Sequence, residues 1–190
     1  GLQWKDGLAN PVANYDKYVS NFQKTLNFGV YSMDLVYAVL NNKVTESKDY
    51  LKAVRELAVE TGLDDIFNSE DLVNRLDNNI AVKDSMLELL IEIHERTDEV
   101  LSAREEQNKT TLHFAGAWIE GMYLGSITAM DKDNRELGAA LINQMNILSN
   151  LIKGLKGYPD QNEELTTLIK NMQDLHNTYM NFDSVKKMEN

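Results

Sequence analysis

From Leu112 to Met130 the chain reads LHFAGAWIEGMYLGSITAM, nineteen residues with one histidine, one carboxylate and no other charge. A stretch so poor in charge has to leave water, and there are few ways to do so. As an α-helix it spans about 28 Å at 1.5 Å per residue, close to the thickness of a bilayer's hydrocarbon core. Glu120 stands near its middle, where a carboxylate costs about 2.5–3.5 kcal/mol even on insertion-based scales. His113, Ser126 and Thr128 dilute it further, and no basic cluster flanks it. A membrane span is therefore ruled out.

Packing within a helical protein explains the stretch better. Ala117, Gly121, Gly125 and Ala129 recur every four residues, a small-residue stripe that lets a neighbouring backbone come close. Glycine costs up to ~1 kcal/mol against alanine inside a helix, so Gly116, Gly121 and Gly125 together imply compensation by tight packing. Apolar groups fill most of the remaining circumference, and a helix apolar on nearly all sides is expected to be buried on nearly all sides. This segment is expected to be the central helix.

The rest of the chain repeats the helical period without a sustained strand alternation. A first helix is expected from Pro11 through Tyr15, Tyr18, Val19 and Phe22, and a second over FGVYSMDLVYAVLNN, ending at Asn41–Asn42. Thr45 is a candidate N-cap for a third helix closed by Gly62, and Ser69 caps a fourth. A long helix over roughly 80–106 precedes the opening segment. One helix then ends near Gly154–Gly157, and a last one places Leu165, Leu168, Ile169, Met172, Leu175 and Tyr179 on its core face. The expected fold is all-α: a compact bundle of seven to eight helices, mostly antiparallel neighbours, in one domain over 1–190. Residues 1–10 are expected to be irregular and 183–190 a frayed tail.

Two segments echo each other. GVYSMDLVY (29–37) and GAWIEGMY (116–123) share a glycine, an aromatic two residues on, a carboxylate and a closing tyrosine. The spacings differ by one, so two helices meeting the same packing demand explains the echo better than an ancient duplication.

Charge excludes some functions. The chain carries a net −11, and residues 44–106 account for −10 of it, with 17 acids against 7 bases. Nucleic-acid binding needs a basic footprint that this chain lacks. The acidic half reads as a solvated helix face. Absence of cysteine removes disulfides, thiolate metal sites and cysteine nucleophiles. The opening GLQWKDGLANP has no basic segment followed by an apolar run, so no secretion signal is visible. A start at Gly1 rather than Met is what is expected of a processed or trimmed chain, with a signal peptide or a lipid-bearing cysteine among the segments that could precede it.

No zinc-protease HExxH, GxSxG, phosphate-binding glycine loop or EF-hand spacing is present. His94 and Asp98 have the i,i+4 spacing of metal ligands, yet EIHERTDE reads as an exposed charged face. His176 reads as a packing residue, the scattered methionines as core filler, and no metal or cofactor is expected. Glu120 remains. A carboxylate inside a bundle must be paired, hydrogen-bonded or protonated. Either it is a satisfied core acid, or it lines a pocket with Trp118, Tyr123 and His113, to which Tyr31 and Asp34 from the second helix would contribute. His113 and Glu120 share a helix face about 10 Å apart, too far to grip one metal ion by themselves.

The segments LNFGVYSMDLVYAVL, YLKAVRELAVETGL, LVNRLDNNIAVKDSMLELL and AGAWIEGMYLG resemble a family of uncharacterised all-helical proteins, exported or lipid-anchored, of Gram-negative gut bacteria. The resemblance covers about residues 20–130, and its most specific parts are Gly-Val-Tyr-x-x-Asp-Leu and Gly-x-Trp-x-Glu-x-x-Tyr. It implies an address, the periplasm or the outer membrane as a lipoprotein, without an activity; a cytoplasmic location stays open. The expected function is that of a non-catalytic envelope protein binding a small molecule or a protein partner. The alternatives are an enzyme using Glu120 or Asp34 as general base, and a purely structural bundle.

Overall fold

The computed structural model describes residues 2–132 and 135–182; the tail expected at 183–190 lies outside the described residues. Among them are seven α-helices: α1 (Asn21–Leu40), α2 (Val44–Glu60), α3 (Glu70–Asn79), α4 (Lys83–Ala103), α5 (Gln107–Lys132), α6 (Arg135–Lys156) and α7 (Glu163–Met180). Two short 3-10 helices, Val12–Lys17 and Asp64–Phe67, complete the described elements, and none of these is a strand. No helix among the described residues is long and apolar enough to cross a membrane.

The first helix boundary differs from expectation. Only a 3-10 turn follows Pro11, and Phe22 belongs to α1, which absorbs the second expected helix as well. The cause is a capping box. The Ser20 hydroxyl accepts from the Gln23 backbone N–H, and the Gln23 side chain accepts in return from the Ser20 N–H. Ser20 and Gln23 also donate to the Glu164 carboxylate, tying the start of α1 to the first turn of α7. Val19, just before this cap, is exposed. The third expected helix begins at Val44 with no side-chain cap, so Thr45 lies inside its first turn. Ser69 caps α3 as expected. Gly62 follows α2 with φ of 74°, the left-handed conformation that ends a helix at least cost in glycine.

Short connections pack α1 on α2, α3 on α4, α4 on α5, α5 on α6 and α6 on α7, the 3-10 helix Asp64–Phe67 bridges α2 and α3, and α1 and α5 meet in the middle. Their contact is parallel. A Cβ on Gly29 would lie 1.9 Å from the His113 carbonyl oxygen, and one on Gly116 would lie 2.0 Å from the Leu26 carbonyl oxygen. Met33 packs on Gly121, so contacts advance along both helices in the same direction. The leading glycine of each echoing segment, Gly29 and Gly116, thus admits the other helix's backbone. The expected close approach is real, but it runs through Gly29 and Gly116. On the small-residue stripe, Gly121 meets only the Met33 side chain at ordinary contact, and Gly125 meets the Leu141 side chain.

Two apolar clusters flank this crossing. One gathers α1 to α4 with the N-terminal segment, around Phe28, Leu35, Leu57, Leu72 and Met86. The other gathers α5 to α7, around Leu112, Trp118, Leu148, Leu155 and Leu165. The α5 helix is central, as expected, but not buried on nearly all sides: Phe114 and Tyr123 emerge at 40% and 48% exposure. On α7, Leu175 is likewise exposed rather than in the core.

Candidate functional site

Parallel α1 and α5 bring together two acids that lie 86 positions apart in the chain. Asp34 is wholly buried and Glu120 is 6% exposed. Their carboxyl groups lie within hydrogen-bonding reach of each other. Among the described residues Asp34 Oδ1 and Glu120 Oε1 have no hydrogen-bond partner. Two carboxylates cannot both stay ionised at such a distance in a dry interior, so one proton is shared between them. Burial first, and the Glu120 charge second, push the Asp34 carboxyl up to about 8 from its ordinary 3.8. Burial raises Glu120 as well.

Donors to Asp34 come from the N-terminal segment. Asn10 donates its backbone N–H (3.3 Å) and its side-chain N–H (3.1 Å) to Asp34 Oδ2, and its amide also reaches Glu120. Three tyrosines on α1 and α2 hold this segment in place through its carbonyls. Tyr50 donates to the Asn10 oxygen at 2.7 Å, Tyr31 to the Pro11 oxygen at 2.9 Å, and Tyr37 to the Gln3 oxygen. The Lys5 N–H donates to the Tyr37 hydroxyl in turn, and Trp4 stacks on the Tyr37 ring with centroids 4.9 Å apart. Burial raises the pKa of all three phenols, so they remain donors. Residues 2–11 have no helix or strand, yet they form a fastened strap that closes over the acid pair.

The crossing has a second polar group. His113, two helical turns before Glu120, is 6% exposed and stacks on Phe28 with ring centroids 4.5 Å apart. Among the described residues neither of its ring nitrogens has a hydrogen-bond partner. Burial first, and the neighbouring His94 second, push its pKa down to about 3, so the imidazole is neutral at physiological pH. Leaving such a group unpaired costs on the order of 1–3 kcal/mol. His113 lines a cavity of about 150 Å³ between α1, α2, α4 and α5, whose other walls include Phe28, Leu35, Val54 and Ile93. The half-exposed His94 stands at its rim.

Of the six expected site residues, Tyr31, Asp34 and Glu120 do assemble with the strap. His113 belongs to the cavity instead. Trp118 faces the α5–α7 cluster, because two residues turn a helix by about 200° relative to Glu120. Its indole N–H has no partner among the described residues. Tyr123 is on the surface. Asn10, Tyr37 and Tyr50 complete the acid site. Asn10 carried no periodic signal, since it lies in an irregular segment; the tyrosines offered only their need for an acceptor once buried.

His94 and Asp98 approach to 3.7 Å on a half-exposed face, and no three metal-binding side chains gather among the described residues. A larger cleft of about 590 Å³ runs beside α2, lined by Lys48, Lys52, Arg55, Glu56 and Asp77. Its mixed charges point to no one ligand. Compared with protein-family models, curated proteins and solved structures, the chain matches none of them.

Proposed function

We propose that this chain is a non-catalytic binding protein of the cell envelope that takes a small ligand inside its helical bundle. The observation that carries the reading is the apolar cavity beside α1 and α5, with an unpaired neutral imidazole on its wall. A half-open cavity of about 150 Å³ with mostly apolar walls is large enough for a benzene-sized molecule. The envelope address rests on the sequence resemblance alone. Fractionation of the native host tests it, and recovery from the cytosol would sink it.

The enzyme alternative has one observation in its favour, the proton held by Asp34 and Glu120. General acid–base work also requires a reacting atom within hydrogen-bond reach of that proton. Asn10 occupies that position, and three tyrosines fasten it there. The acid pair is better suited to holding the N-terminal strap than to turning over a substrate.

Xenon and benzene test the binding reading without assuming any polar contact. Methyl NMR should show saturable shifts at Leu35, Val54, Leu90 and Ile93, and Val36→Phe should suppress them by filling the cavity. If neither probe shifts these methyls, the bundle has no room for a ligand there and the reading falls.

A further inference from the structure

The cavity wall says more about the ligand than its size. An apolar space needs no imidazole, and a phenylalanine would pack there without an unpaired nitrogen. His113 is nine-tenths buried, its ring is covered on one face by Phe28, and its nitrogens find no partner among the described residues. From the ligand-binding reading above, on which this step rests, we infer that the cavity takes a small neutral molecule, aromatic or short-chain, bearing a single hydroxyl or ring N–H. The polar group bonds His113, and the apolar body lies against Leu35, Val54 and Ile93.

Ligand charge follows from the same surroundings. A neutral imidazole offers one donor and one acceptor, which suits a hydroxyl in either direction. A carboxylate would need a cation beside it. Among the groups lining this cavity His94 is the one other titratable side chain, and it is half-exposed and already faces Asp98. Burying a ligand charge here would carry a desolvation penalty with nothing to offset it. A cationic ligand finds no carboxylate on the cavity walls.

Phenol, benzene and benzoate separate these requirements. Titrations of the wild-type chain followed by NMR should show phenol binding about tenfold more tightly than benzene, the worth of one hydrogen bond. Benzoate should show no saturable shift. In His113→Phe the preference for phenol should vanish while benzene binding persists. The His113 ring protons provide a readout that does not depend on this variant folding: phenol should move them in the wild type more than benzene does. Equal affinity for phenol and benzene in the wild type would overturn the inference about His113 and leave the cavity reading standing. Tight benzoate binding would overturn the inferred neutrality. Failure of all three probes, together with xenon, would overturn the binding reading itself.

Discussion

The α1–α5 crossing buries a polar site on each of two sides, and the two are treated in opposite ways. On one side, Asp34 and Glu120 keep a proton, Asn10 on a tyrosine-fastened strap donates to Asp34 Oδ2, and the strap covers the pair even though Asp34 Oδ1 and Glu120 Oε1 have no partner among the described residues. On the other, His113 faces apolar walls with neither nitrogen paired among the described residues. The first arrangement is closed by the chain's own segment. The second leaves hydrogen-bonding capacity for something else. Burial alone therefore does not mark a binding site, nor does an unserved polar atom; the useful signal is an unserved buried polar group that lines a cavity.

The two sides also respond to pH with opposite signs. Asp34 has a raised pKa, so the stability due to its retained proton is fully present below about 4 and is lost as pH rises through about 8. His113 has a depressed pKa, so its contribution is fully present above 6.5 and is lost as pH falls towards about 3.

The largest expected effect comes from breaking both sides at once. Gly29→Ala or Gly116→Ala sets a Cβ against backbone, which cannot yield as a side chain can, and should cost at least about 3 kcal/mol in chemical denaturation. Gly121→Ala is the control. It meets only Met33 at ordinary contact and should be neutral or stabilising by up to about 1 kcal/mol. Equal losses at all three positions would remove the distinction between the crossing glycines and the stripe.

Next in size, Asn10→Ala acts on the closed side alone. Losing donors to a carboxylate should cost about 1.5–3 kcal/mol and raise hydrogen exchange across residues 3–11. Exchange at the cavity methyl-bearing residues Leu35, Val54 and Ile93 should stay as it was. Loss of protection on both sides would show that the two sites are one cooperative unit.

Asp34→Asn puts an amide N–H where the shared proton was. It should remove the decline in stability as pH rises towards about 8. A melting profile whose alkaline limb is unchanged would contradict the shared proton. The smallest effect is expected for His113→Phe. It should stabilise the chain by about 1 kcal/mol at pH 7 and rather more near pH 5, where the wild type must hold its imidazole neutral. Destabilisation at both pH values would mean that the imidazole is satisfied in the fold after all.

Much of this molecule was legible in its sequence, because helices write a 3.6-residue period that local physics preserves. The all-α class, the central place of Leu112–Met130 and the burial of Glu120 all follow from residues near one another in the chain. So does the Ser20–Gln23 capping box, although the turn it starts was read as helix interior. The echo between 29–37 and 116–123 was visible too, but its meaning was not. That Gly29 and Gly116 admit each other's helices, and that Asp34 therefore meets Glu120, depends on a parallel crossing between segments distant in sequence.

Periodicity fixes which way a side chain points from its own helix, and it is silent about what arrives there. The sequence alone determined that two acids and a histidine would be carried inside by apolar helices. Tertiary structure alone decided that an irregular N-terminal strap would close over the acids while His113 was left facing a cavity. The reason is physical: solvation and pairing of a buried group depend on every element packed around it, and those elements come from the whole length of the chain.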